Sequence, residues 1–141
     1  MIELATAQAP STGSAAQYFD RWAEHSTWAE WSPDTEWVRL DGPAGLNTTG
    51  TLKPTGVPKV RFTISAYEPG REYTDTSRFP GATLTFQHVA QARAEGSALT
   101  IRVAIEGPLE RVWAKILGKG FAASVPADLA RLVELVEGSD V

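Results

Sequence analysis

The sequence has no cysteine, only two histidines and a single methionine among its 141 residues. The absence of cysteine excludes disulfides, thiolate catalysis and cysteine-based metal sites. Two distant histidines and scattered carboxylates offer no ligand spacing, so we expect no bound metal. Glycine-rich phosphate loops and the nucleophile elbow of serine hydrolases are also absent from the sequence. We therefore expect no cofactor.

The chain also lacks a basic excess and a long apolar run. Thirteen Lys and Arg residues against seventeen Asp and Glu residues give a net charge of −4, and the arginines are scattered. We therefore expect no nucleic-acid partner. No segment approaches the roughly 20 apolar residues that cross a bilayer, and an acidic Glu3 does not suit a secretory signal. The expectation is a cytoplasmic protein without membrane insertion, either a monomer or a homodimer.

What the chain does contain is an ordered series of patterns. A Trp-rich amphipathic stretch over residues 15–37 comes first, and turn-punctuated alternating segments follow over residues 40–106. A long apolar-striped segment over residues 108–137 closes the chain. Helices at both ends of a strand meander favour an antiparallel sheet with its helices on one face. The length predicts a single domain, residues 1–141.

Local signals mark the individual elements. Ser14 and Gln17 fit a capping box that begins a first helix, and a second short helix is predicted over residues 26–30. The last helix is predicted from Pro108 to Glu137, with a kink or break between Gly118 and Pro126. Seven strands are predicted over residues 2–8, 36–40, 46–53, 60–67, 71–79, 82–92 and 97–106. The apolar residues of the last helix are expected to lie on one face, from which Trp113 and Phe121 point to the interior: Leu109, Val112, Trp113, Ile116, Gly120 and Phe121, continued by Leu129, Leu132, Val133 and Val136.

Three tight turns, at residues 69–70, 80–81 and 95–96, fix which side chains face the interior. The first turn predicts the pairs Ala66–Tyr73, Ile64–Asp75, Phe62–Ser77 and Val60–Phe79. The second predicts Tyr73–His88, Asp75–Phe86, Ser77–Leu84 and Phe79–Ala82. The third keeps the same parity and brings Ile101, Val103 and Ile105 to the inner side. The predicted inner wall is apolar, with one polar band of Tyr73, Asp75, Ser77 and His88.

This polar band supplies the candidate catalytic residues His88, Tyr73 and Asp75. His88 titrates near neutral pH and can act as an acid or base, aided by Tyr73 and oriented by Asp75. The alternative is a structural, hydrogen-bonded histidine. A bulge between Asp75 and Arg78 would instead turn the Asp75 carboxylate outward. The second histidine, His25, is predicted to be a solvated cap residue between two helices.

Aromatic residues suggest where a ligand would lie. Trp22, Trp28, Trp31 and Trp37 form either an aromatic cavity mouth or a core that plugs one end of the sheet. The predicted ligand-binding residues are Trp28, Trp31, Phe62, Ile64, Ser77, Phe86, Val103, Trp113 and Phe121.

Three segments resemble the START/Bet v 1-like, or SRPBCC, superfamily: WAEWSP at 28–33, ISAYEPGR at 64–71 and VAIEGPL at 103–109. They are most similar to its bacterial polyketide cyclase/dehydrase-type branch. The resemblance implies an α+β helix-grip fold, in which a curved seven-stranded antiparallel sheet wraps a long C-terminal helix, with two short helices near the N-terminus. It also implies a cavity for a lipid, polyketide or aromatic metabolite.

The resemblance does not fix an activity, because one fold hosts many functions. A cofactor-free cyclase or dehydratase-like enzyme is one reading. The other is a non-enzymatic carrier or protein-interaction module whose cavity is largely filled by its own side chains.

Overall fold

Seven antiparallel strands and three helices build the part of the chain that the computed structural model describes, residues 1–56 and 58–138. The strands are β1 (Ile2–Ser11), β2 (Thr35–Leu40), β3 (Thr49–Pro54), β4 (Val60–Glu68), β5 (Glu72–Phe79), β6 (Ala82–Arg93) and β7 (Gly96–Glu106). They form one curved sheet in the order β1-β7-β6-β5-β4-β3-β2. The helices are α1 (Ala15–Ala23), α2 (Trp28–Trp31) and α3 (Glu110–Gly138), and a 3₁₀ turn (His25–Thr27) precedes α2. The predicted helix-grip fold is confirmed.

Helix α1 begins at the predicted capping box. The Ser14 hydroxyl accepts a hydrogen bond from the Gln17 amide at 3.2 Å, and the Gln17 side chain accepts one from the Ser14 amide at 2.8 Å. Both bonds satisfy amides that a helix start leaves unpaired. The buried face of this helix carries Ala15, Tyr18, Phe19 and Trp22. This face holds α1 against β5 and β6, beside the polar band.

The predicted register of β5, β6 and β7 is confirmed. Tyr73 lies opposite His88 and Asp75 opposite Phe86, while His88 in turn lies opposite Ile101. The ladder between β5 and β6 is regular, so the alternative in which a bulge turns Asp75 outward is wrong. The side chains of β5, β6 and β7 that face the interior are therefore the ones that the turns predict.

The predicted register of β4 is only partly correct. Ile64 lies opposite Asp75 as expected, but Ala66 lies opposite Thr74 rather than Tyr73. The reason is a bulge between Ile64 and Ala66, which inserts one extra residue into β4. The ladder also ends at the Phe62–Ser77 pair and does not include the predicted Val60–Phe79 pair. Because the irregularity lies in β4, it leaves the polar band on β5 and β6 unchanged.

Helix α3 is one continuous helix, and the predicted break near Pro126 is not found. Its C-terminal half is packed, with four buried side chains: Val125, Leu129, Leu132 and Val136. The predicted apolar face is not buried along its whole length, because Leu109, Val112 and Ile116 have exposed fractions of 45%, 52% and 64%. Along the first half of α3 a cavity separates the helix from much of the sheet, and contact is limited to residues such as Trp113, which stacks on Phe79, and Phe121, which packs against Phe86. No helix in the described ranges is long and apolar enough to span a membrane.

Candidate functional site

A cavity of about 410 Å³ lies between the inner face of the sheet and α3. Most of its wall is apolar: Trp22, Trp28, Trp31, Leu52, Pro54, Val60, Phe62, Phe79, Leu84, Phe86, Ile101, Ile116, Leu117, Phe121, Val125, Leu129 and Leu132. Asp75, Ser77 and His88 add a polar band on the sheet side. No Lys or Arg lines the cavity within the described ranges. The site is therefore a hollow with apolar walls and without a basic side chain to pair with an anion.

Six of the nine predicted ligand-binding residues line this cavity: Trp28, Trp31, Phe62, Ser77, Phe86 and Phe121. The other three lie outside the lining. Ile64 and Val103 have no exposed surface and belong to the packed core on the sheet. Trp113 stacks on Phe79 with ring centroids 4.9 Å apart, and its indole N–H donates to the Pro80 carbonyl at 2.8 Å. It covers the β5–β6 turn instead of facing the cavity.

The tryptophans combine the two roles that their sequence pattern left open. Trp22, Trp28 and Trp31 are buried in the core and also line the cavity, whereas Trp37 lies under the guanidinium of Arg39 on β2. The Trp28 indole N–H donates to the Trp22 carbonyl at 3.0 Å. Within the described residues, the indole N–H groups of Trp22 and Trp31 are enclosed without a hydrogen-bond partner.

The candidate catalytic residues come together at the sheet side of the cavity. The Tyr73 hydroxyl lies 3.1 Å from Asp75 Oδ2, and both side chains are buried. His88 Nδ1 lies 3.1 Å from the backbone carbonyl oxygen of Tyr73, to which it donates. His88 is thus oriented by a backbone group and not by the Asp75 carboxyl, contrary to the expectation. Its ring packs against Trp22 with centroids 5.2 Å apart.

His25 belongs to this cluster, and the prediction that it is a solvated cap residue is wrong. Only 5% of His25 is exposed, and its Nε2 lies 2.6 Å from the Tyr73 hydroxyl. Its Nδ1 lies 3.0 Å from the Ala23 carbonyl, and its ring stacks on Trp28 with centroids 4.6 Å apart. The sequence carried a signal for this: Tyr18, Trp22 and His25 follow one another at i, i+4 and i+7, the spacing of a buried helical face.

Burial sets the charge of these groups. Desolvation lowers the pKa of His25 to about 4 and that of His88 to about 4, so both imidazoles are neutral at pH 7. Desolvation raises the pKa of Asp75 to about 7, although the contact with the Tyr73 hydroxyl acts in the opposite direction. Burial and the nearby Asp75 also raise the pKa of Tyr73. At pH 7 both histidines and Tyr73 are therefore neutral, and the Asp75 carboxyl titrates near this pH, beside an apolar wall.

A second polar group lies where α2 meets α3. The Ser32 hydroxyl donates to Asp128 Oδ2 at 2.9 Å, and the Arg131 guanidinium lies 3.0 Å from Asp128 Oδ1. Burial raises the pKa of Asp128 despite these partners. Both Ser32 and Asp128 line the cavity, with Asp34, Thr35 and Ser124 nearby in the wall. The sequence did not single out these residues.

Comparisons with known proteins agree on the fold. A family model described as "Polyketide cyclase / dehydrase and lipid transport" matches residues 4–137. No curated protein sequence matches the chain. Among solved structures, the chain is similar to the di-domain ARO/CYC StfQ from the steffimycin biosynthetic pathway, with a TM-score of 0.76 and 14% identity over 96% of this chain and 50% of that one.

Two further structures cover most of both chains. Protein MLL2253 from Mesorhizobium loti has a TM-score of 0.73 at 10% identity, over 96% of this chain and 98% of that chain. Norcoclaurine synthase from Thalictrum flavum, in complex with dopamine and hydroxybenzaldehyde, has a TM-score of 0.71 at 9% identity, over 94% of this chain and 85% of that chain. At these identities, the likeness extends to the fold and not to individual residues.

Proposed function

The chain belongs to the polyketide cyclase/dehydrase and lipid transport family, and on that premise we propose that it binds an apolar small molecule between the sheet and α3. A lipid, a polyketide or an aromatic metabolite would suit this site. The cavity carries the proposal, because its volume of about 410 Å³ lies within the roughly 300–1,000 Å³ of ligand pockets. Its mostly apolar wall with a short polar band is also the usual composition of such pockets.

Cofactor-free acid–base chemistry is the finer part of this proposal. Cyclisation and dehydration of a polyketide need protons to be moved at carbon and oxygen atoms, which positioned side chains can do. Tyr73, Asp75 and His88 are the candidate groups, and all three are buried beside the apolar wall. A carrier would use the same groups for affinity alone, and a protein-interaction module would need a filled cavity. The open volume supports the readings with a ligand.

Native mass spectrometry of protein purified from its host tests this proposal. We expect wild-type protein to carry an apolar small molecule, and Leu117→Trp to lose it, because Leu117 on α3 lines the cavity and a larger side chain would fill it. Leu46→Trp is the matched control, since Leu46 is exposed and lies outside the wall. A wild-type spectrum with the bare chain only, or equal occupancy in Leu117→Trp and Leu46→Trp, would contradict ligand binding in this cavity.

A further inference from the structure

The Tyr73 hydroxyl makes two contacts but has only one proton to give. It lies 2.6 Å from His25 Nε2 and 3.1 Å from Asp75 Oδ2. Each contact needs a hydrogen between its heavy atoms, because facing lone pairs repel at such distances. His25 Nδ1 faces the Ala23 carbonyl at 3.0 Å, and that oxygen can only accept. The ring proton of neutral His25 is therefore on Nδ1, and Nε2 accepts the Tyr73 proton.

The contact between Tyr73 and Asp75 then needs a second proton. We propose that His25, Tyr73 and Asp75 form a directed hydrogen-bond chain in which Asp75 is a carboxylic acid that donates to Tyr73, Tyr73 donates to His25, and His25 donates to the Ala23 carbonyl. The alternative puts this proton on His25 and creates an imidazolium and a carboxylate, both buried. Burial opposes both charges, and no Lys or Arg in the described cavity wall compensates the carboxylate.

The chain defines the polar end of the ligand, an inference that rests on the proposed ligand binding. Asp75 Oδ2 is hydrogen-bonded to Tyr73, and the other Asp75 oxygen, Oδ1, has no protein partner in the described ranges. His88 Nε2 has no protein partner there either. Asp75 and His88 both line the cavity, and neither of these two unpaired atoms is fully enclosed by protein. Both atoms are therefore accessible from the cavity. Both are acceptors, because the His88 ring proton is on Nδ1. The matching ligand group is a donor: a neutral hydroxyl, such as a phenol, has one proton and can donate it to the free Asp75 oxygen, which leaves His88 Nε2 as an acceptor for a second donor.

Asp75 is then the group that touches the ligand. His25 is a positioning residue, because it accepts the Tyr73 proton and so leaves the Tyr73 oxygen free to accept from Asp75.

Carbon and nitrogen NMR titration of the ligand-free protein tests the chain. We expect a protonated Asp75 carboxyl and a neutral, Nδ1-protonated His25 at pH 6. His25→Phe keeps the ring contacts but frees the Tyr73 proton for the Asp75 carboxylate, which should lower the Asp75 titration midpoint by about one pH unit. In His25→Gln, the amide oxygen can accept the Tyr73 proton, so the midpoint should return toward the wild-type value.

The titratable groups around the chain include Tyr67 on β4, His88 on β6 and, in the cavity wall, Asp34 and Asp128. Their titration is followed in the same spectra, which separates it from that of Asp75. Wild-type spectra alone can overturn the chain: an ionised Asp75 at pH 5, or a doubly protonated His25 at pH 6, contradicts it. An unchanged Asp75 midpoint in His25→Phe also contradicts it.

Calorimetric titration with 2-naphthol and 2-acetylnaphthalene tests the ligand group, because the first donates a hydrogen bond and the second only accepts. We expect the affinity ratio in favour of 2-naphthol to fall about 5- to 10-fold in Asp75→Leu, the loss of one hydrogen bond. If both probes bind wild-type protein and the ratio is the same in the variant, the hydroxyl inference is wrong and the proposed function stands. If neither probe binds wild-type protein, the proposed function is contradicted as well.

Discussion

Four ionisable side chains, His25, Tyr73, Asp75 and His88, meet beneath the apolar wall of the cavity. The turns predicted that Tyr73, Asp75 and His88 face the interior, because each turn fixes which residues of the two strands that it joins lie on the same face. His25 escaped prediction because it lies after the last residue of α1, where a 3₁₀ turn continues the buried face. Hydrogen-bond partners such as the Ala23 carbonyl depend on that local geometry, which no spacing rule specifies.

His88 should make the protein sensitive to acid. Its pKa is about 4 in the folded protein and about 6.5 when unfolded. Between these values the unfolded chain binds a proton that the folded protein does not, so stability falls as the pH falls. His25 acts in the same direction. Asp75 acts in the opposite direction, because its pKa is raised to about 7 and the folded protein binds its proton more tightly.

Replacing His88 should therefore flatten this dependence. In His88→Asn, an amide can keep the donor to the Tyr73 carbonyl without titrating. We expect the slope of the unfolding free energy against pH to decrease by about 1.2 kcal/mol per pH unit between pH 5 and 6. Urea denaturation of both proteins at pH 5.0, 5.5 and 6.0 measures it. Parallel curves for the two proteins would mean that His88 titrates alike in the folded and unfolded states.

At the scale of elements, turns were predictable and irregularities were not. Gly70 and Gly81 have φ angles of 76° and 73°, which glycine adopts without strain, and the predicted hairpins form there. The β4 bulge between Ile64 and Ala66 has no such marker, because residues 60–67 alternate regularly in the sequence. The apolar residues along α3 likewise did not indicate which part of the helix is buried and which part is exposed.

The two halves of α3 should respond differently to truncation. Leu132 is 1% exposed in the packed half, so Leu132→Ala should cost about 2–5 kcal/mol of unfolding free energy. Ile116 is 64% exposed, so Ile116→Ala should change it by no more than about 0.5 kcal/mol. Because Ile116 lines the cavity, its truncation should instead weaken the binding of 2-naphthol. Equal losses of stability in urea denaturation would mean that α3 packs along its whole length.

At the scale of the whole molecule, the order of patterns was enough to predict the fold. Two short helices, a strand meander and one long helix admit few arrangements that bury every apolar face. The size of the cavity was not predictable, because it depends on how large side chains such as Phe86 and Phe121 meet across the gap. Those two rings pack edge to face with centroids 5.1 Å apart. A hollow and a filled core share the same alternating pattern in the sequence.

Helix α3 has a packed half and a half with few buried side chains, and both contribute to the cavity wall. Residues 110–121 carry the exposed apolar side chains, whereas residues 125–136 carry the buried ones. Elements with few buried contacts open at lower free energy. Hydrogen exchange followed by mass spectrometry should therefore be at least about tenfold faster in peptides from residues 110–121 than in those from residues 125–136.

A ligand in the cavity should reduce this difference, because its apolar surface supplies contacts that the first half of α3 lacks. Saturating 2-naphthol should slow exchange in residues 110–121 more than in the long β6–β7 ladder, whose paired amides are already protected. Uniform exchange along α3 in the free protein would contradict the division into two halves. Unchanged exchange in residues 110–121 at saturating 2-naphthol would contradict a ligand beneath the exposed half of the helix.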